Sequence, residues 1–134
     1  MRSHPWLLIA LLWAVSAQAA DDDMIRCNPQ GTQMELNACA WERLHAADAE
    51  INATWREVLA KIGDRPVAVA KLKAAQRLWI QLRDADVEAQ FPLEEGESER
   101  TQFGSIHPME LADIKAEMTR ERIRYLRAHW LDGR

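Results

Sequence analysis

The chain has 134 residues, with 17 Lys or Arg against 21 Asp or Glu and only two cysteines. That length fits one small domain, and the acidic balance argues against nucleic acid, whose binders carry a basic footprint. Two cysteines and the scattered His45, His107 and His129 are poor material for a metal site, and no cofactor-binding motif is present.

The first residues read as an export signal and are set apart from the fold. Arg2 and His4 make a weakly basic start, and Trp6 to Val15 is an apolar run too short to span a bilayer. Ala17-Gln18-Ala19 then places small residues where a signal peptidase reads, so cleavage is expected after Ala19. Arg2 is the one charge in that segment, which leaves 16 basic against 21 acidic residues and a net charge of −5. No membrane span is expected after cleavage. Cys27 follows Asp23-Met24-Ile25-Arg26, which is not a lipid-attachment motif, so a periplasmic or secreted protein is expected. In that oxidising setting Cys27 and Cys39 read as one disulfide, worth about 3 kcal/mol for so short a loop in the chain-entropy view.

Three long helices follow in chain order, giving an all-α domain over residues 20–134. Thr32 with Glu35 is a capping box, and the first helix runs from there to about Ile62, with Gly63 as its stop. Met34, Ala38, Trp41, Leu44, Ile51, Trp55, Val58 and Ile62 form its apolar stripe at helical spacing. Pro66 suits a first helical turn, and the second helix extends to about Gln90 on a stripe of Ala68, Leu72, Ala75, Trp79, Leu82 and Asp86. The third opens near Pro108 and continues to about Leu131 with Leu111, Ile114, Met118, Ile123, Leu126 and Trp130 inward. A short link between the first two predicts a long antiparallel hairpin, with the third helix packed on it. Trp55 and Trp79 are expected in the core, Trp41 and Trp130 as partly exposed anchors.

Polar residues interrupt these stripes. Asp48 and Asn52 lie on or beside the buried face of the first helix, and Gln76, Arg77, Arg83 and Asp84 crowd the edge of the second. A charge facing a core must be paired, so an Asp48 contact to Arg83 or Arg77 is expected, with Asn52 and Gln76 completing the hydrogen bonds. The same residues could be a catalytic acid–base pair, but a thin three-helix domain offers little room for a pocket, and the structural network is the stronger reading. No nucleophile–histidine–acid order or metalloprotease motif appears. Ser105 with His107 reads as cap chemistry ahead of Pro108, and an enzyme is not expected.

Between the second and third helices lies a connection longer than is usual. It carries Glu94, Glu95, Glu97 and Glu99, then Phe103, Ser105 and His107, and it is the candidate surface for a partner.

Thr32-Gln33-Met34-Glu35-Leu36-Asn37-Ala38-Cys39-Ala40, followed by Ala47-Asp48, Ile51-Asn52, Trp55 and Leu59, resembles the first block of the LprI-like lysozyme-inhibitor domain family. Leu72, Ala75-Gln76-Arg77, Trp79-Ile80 and Arg83-Asp84-Ala85 resemble its second block. Gly104-Ser105 is similar to the end of its glycine-rich loop, and Thr119, Arg122 and Leu126 to its last helix. The resemblance implies a small exported helical domain that inhibits a lysozyme-type muramidase. A cationic lysozyme is then the implied partner; the competing reading is a non-enzymatic envelope or stress-response module bound to another envelope protein or a cell-wall fragment. Two departures stand out. Family members commonly carry a second cysteine pair, yet Val87 occupies one of those positions and the last helix has no cysteine, so a looser acidic loop is expected. The member behind the family name is a lipoprotein, and this chain lacks that attachment motif.

Overall fold

The computed structural model describes residues 25–133; the signal-segment reading of residues 1–19 lies outside them. Helix α1 spans Gln33–Ile62, α2 spans Pro66–Gln90, a single short turn α3 spans Glu99–Phe103, and α4 spans His107–Leu126. A 3₁₀ turn, Gly104–Ile106, leads into α4, and a π-helical turn, Arg127–Leu131, extends it. No strand occurs among the described residues. The all-α hairpin plus C-terminal helix is therefore as the sequence predicts, including the start of α1 at the Thr32 cap.

The three long helices run up, down and up. Arg43 Nε bonds Asp113 Oδ1 at 2.8 Å and Lys61 Nζ bonds the Leu131 carbonyl at 2.6 Å, each across 70 residues of sequence. That constant offset sets α1 and α4 parallel and in register, with α2 running back between their ends. Lys61 also satisfies a carbonyl that the end of a helix leaves without a partner.

The closest packing is between α1 and α4, and its residues are small. Ala40, Ala47, Ala112 and Ala116 cluster with Leu44, and Thr54 and Thr119 are fully buried along the same faces. Axis separation depends on side-chain size at the contact, so alanines permit a close approach. Toward the other end, Ile51, Val58, Ile62, Leu72, Ile123 and Leu126 form the larger apolar cluster, with Trp55, Trp79 and Trp130 packed partly buried against it.

Several stripe positions shift from the expectation. Met34 is 60% exposed, while Ala40, Ala47 and Thr54 take the buried line instead. On α2, Leu82 is 58% exposed and the inward line runs through Leu72, Trp79, Arg83 and Val87. Ranking by hydrophobicity favours large residues, whereas a tight seam selects small ones. Trp41 is exposed and Trp130 is partly exposed while packing on the core, as expected of anchors near helix ends, and Trp55 and Trp79 lie at the core's edge.

Candidate functional site

The start of α1 is built before it is covered by anything else. Glu35 Oε2 accepts from the Thr32 amide at 2.7 Å, and the Thr32 hydroxyl accepts from the Glu35 amide at 3.4 Å. Asn28 Nδ2 adds a bond at 3.4 Å. The backbone bond from Thr32, then its hydroxyl and Asn28, hold the Glu35 carboxyl below its ordinary range. A Cβ at Gly31 would meet the Glu35 carboxylate and the Asn28 amide, so a side chain there would displace these two capping groups. The Cys27–Cys39 disulfide closes this turn onto the helix, with Cα atoms 4.4 Å apart.

At the same end of α1, the opposite helix face holds the acidic connection. Gln33 Nε2 donates to Asn37 Oδ1 at 2.8 Å, and Asn37 Nδ2 donates to the Ser105 carbonyl at 3.1 Å. Gln33 Nε2 also lies 3.8 Å from Met109 Sδ. The signature block therefore anchors the glycine–serine turn through Gln33 and Asn37. These two residues stand four apart on one face, a spacing that would have signalled their partnership.

The connection itself is built from turns. Glu97 accepts from the Glu94 amide at 2.9 Å, and Ser98 caps α3 by accepting from the Thr101 amide at 3.3 Å. Gly104 then turns the chain at φ 73° and ψ −165°, a region essentially closed to residues with a Cβ. Beneath it, Phe91, Phe103 and His107 form an aromatic triangle with centroids 4.6 to 5.4 Å apart. Val87, Phe91, His107 and Leu111 line one small cavity of about 180 Å³ there. Apolar and aromatic packing thus braces the loop at Val87, where the resembled family commonly has a cysteine.

Exposure sorts the candidate loop residues. Glu94, Glu95, Glu97, Glu99 and Ser105 are exposed and Phe103 is half-buried. His107 is only 4% exposed and cannot reach a partner. It is held by the aromatic triangle, and no protein group bonds its Nδ1 among the described residues. Neither Ser105 nor His107 caps α4 through its side chain, because the 3₁₀ turn runs directly into the helix and Ile106 stands at the cap. Between the loop and α1 lies a groove of about 420 Å³, lined by Met34, Asn37, Glu99, Arg100, Gly104 and Pro108 among others.

The polar residues of α2 are brought together only in part. Arg83 bonds Asp84 through Nε at 3.0 Å and Thr119 Oγ1 through Nη1 at 3.3 Å, while Asp48 lies 3.9 Å away. Lys115 Nζ reaches Asp84 at 3.4 Å. Burial raises the Asp84 pKa, but the hydrogen bond and charge of Arg83 and then Lys115 outweigh it and leave the carboxyl below its ordinary value. Gln76 accepts from Arg122 Nε at 3.0 Å, and both Arg83 and Arg122 lie over the Trp79 ring, at 5.4 and 5.7 Å from its centroid. Asn52 and Arg77 do not join: both are exposed and make no bond to another described side chain. Thr119, Lys115 and Arg122, on α4, are the members that inspection of the hairpin alone misses. Among the described residues there is no grouping of three His, Cys, Asp or Glu able to hold a metal ion.

Residues 26–126 match the family described as Lysozyme inhibitor LprI. The chain belongs to the LprI family. An uncharacterized protein of Rhizobium meliloti is 37% identical over 128 residues, covering 87% of this chain and 84% of that protein. No solved structure matches. The LprI match takes in the cap, the disulfide, the Arg83 cluster and the acidic connection, and ends where the π-helical turn begins.

Proposed function

We propose that this LprI-family protein is an exported, non-enzymatic inhibitor of a lysozyme-type muramidase, and that it binds through the end formed by the acidic connection and the start of α1. Family membership across residues 26–126 carries the reading. Four exposed glutamates lie within six residues of one another on a connection anchored to α1 through Asn37. Exposed Met34 and Leu93 supply apolar contact at this end, at 60% and 41% exposure. A net charge of −5 after loss of the signal segment steers the protein toward a cationic enzyme, with on-rates that fall as salt rises. Glu94, Glu95, Glu97 and Glu99 engage the basic rim of the target. The apolar side chains lie over its cleft, because carboxylates brought against the enzyme's own catalytic carboxylates would repel them. Export through the Met1–Ala19 segment delivers the chain to a compartment that forms and keeps the Cys27–Cys39 bond.

A lytic assay on cell walls with the disulfide-bonded protein, run against several lysozyme classes, tests this directly. Inhibition of at least one class is expected at micromolar concentration, weakening with added salt. Replacing the four glutamates by glutamine is expected to weaken inhibition roughly tenfold or more. No inhibition of any class overturns the reading. Recovery of a periplasmic form beginning at Ala20 checks the export step.

A further inference from the structure

Helix α2 has a second apolar face that nothing in the described molecule covers. Ala75, Leu78, Leu82, Ala85 and Ala89 follow one another at spacings of three and four residues, and all are exposed. Leu78 and Leu82 are 66% and 58% exposed. Single exposed apolar residues need no explanation, but five successive positions with this alternation make a coiled-coil seam. The inward face of α2, with Leu72, Trp79, Arg83 and Val87, lies on another side of the helix, so the fold does not use this stripe.

The charges of α2 are also fully segregated. Lys71, Lys73, Arg77 and Arg83 all precede Asp84, Asp86 and Glu88. The first turn has no acidic residue and the last turn no basic one. This order opposes the helix dipole, which favours acids near the start and bases near the end. An isolated α2 is therefore disfavoured by its own charge order. A second α2 laid antiparallel reverses the matter, since it sets basic starts beside acidic ends and opposes the two dipoles. A parallel copy would set like charges side by side.

We infer that the outer face of α2 is a self-association surface, on which a second copy of this chain docks antiparallel about a two-fold axis near Ile80. Leu78 of each copy then meets Leu82 of the other, and Ala75 meets Ala85. Lys71 falls opposite Ala89, within one turn of Asp86 and Glu88 of the other copy, and symmetry repeats each contact. The contact is isologous. From Lys71 to Ala89 the seam is about 27 Å long. At a width of roughly 10 Å it buries on the order of 600 Å² in all, below the 1,200 Å² or so of stable complexes. The dimer is accordingly weak and concentration-dependent. It uses a different face from the inhibitory end and does not rest on the inhibitory reading.

Sedimentation equilibrium of the disulfide-bonded protein, from about 5 to 500 μM, tests the inference. A monomer–dimer equilibrium with a dissociation constant of roughly 10 to 100 μM is expected. Leu82→Glu is expected to weaken dimerisation at least about tenfold while leaving the far-ultraviolet spectrum unchanged. Lys71→Glu alone is expected to weaken it, and adding Asp86→Lys with Glu88→Lys to restore it, a rescue that distinguishes the antiparallel register from other contacts. A protein that stays monomeric throughout overturns the inference. So does a dimer indifferent to Leu82→Glu, or one that the charge exchange does not restore, because either places the contact on another surface.

Discussion

Toward the N-terminal ends of α1 and α4 the contact is packed from Ala40, Ala47, Ala112 and Ala116 around Leu44, whereas the α2 side is closed by Trp79 under Arg83 and Arg122. The first contact is made mostly of alanines, which have no alternative rotamers. The second is made of long amphipathic side chains with their charged heads near solvent, which can move when a neighbour changes. Two helices can thus dock on the same bundle by close backbone approach or by adaptable cover. The first tolerates little change in volume, and the second mostly resists loss of its polar partners.

The largest expected effect comes from filling the seam. Ala116→Leu adds three carbons at a position with no exposure and is expected to cost about 3 kcal/mol, at the upper end of overpacking penalties. Urea unfolding followed by circular dichroism measures it. The matched control is Ala46→Leu on the exposed side of α1, expected within about 0.5 kcal/mol of the parent. Equal effects at the two positions would dissolve the contrast between seam and surface.

Helix ends, the cap and the disulfide were legible in the sequence because each depends on residues close in the chain. Thr32 needs only Glu35, and Cys39 needs only a partner 12 residues away. The depth of each stripe was not legible. Ala40 and Ala47 bury against Ala112 and Ala116 because all four are small, a property of two helices paired 70 residues apart that no single helix displays. The loop shows the same limit. Its glutamates could be read as exposed, but the fate of His107 depends on Phe91 and Phe103 meeting it in space. Arg83 could be named as a candidate from α2 alone, yet its hydrogen bond to Thr119 needed α4 in place.

An intermediate effect is expected at Arg83. Its side chain is 16% exposed, so solvent screens its contacts less than those of its partners. Arg83→Ala removes the bond to Thr119, the pair with Asp84 and the stacking on Trp79 together, and is expected to cost roughly 1–2 kcal/mol. The loss should also change the acid limb of stability. The Asp84 carboxyl lies below its ordinary value of 3.8 in the folded protein. A depressed carboxyl contributes stability that is complete above the unfolded value and is lost as pH falls through the folded one. The difference in unfolding free energy between the parent and Asp84→Asn should therefore be constant above about pH 5 and shrink below pH 3.8. A difference that grows on acidification would mean that burial, not Arg83, governs this carboxylate.

The smallest effect is expected where the sequence pattern suggested a large one. Asp48 stands beside the buried stripe of α1, and an unpaired carboxylate in a core would be costly. In the fold its side chain is 46% exposed and its ion pair to Arg83 is 3.9 Å long. Arg83 meanwhile holds Asp84 at 3.0 Å and Thr119 at 3.3 Å, so it stays partnered when Asp48 is removed. A long, half-exposed pair of this kind is worth about 0 to 1 kcal/mol. Asp48→Ala also replaces a residue of modest helix propensity by the best helix former, which offsets part of even that. The net change should lie within about 0.5 kcal/mol of zero. The double variant Asp48→Ala with Arg83→Ala should match Arg83→Ala alone to within the same margin. A coupling of more than about 1 kcal/mol between the two positions would show that Asp48, rather than Thr119 and Asp84, is what keeps Arg83 against Trp79.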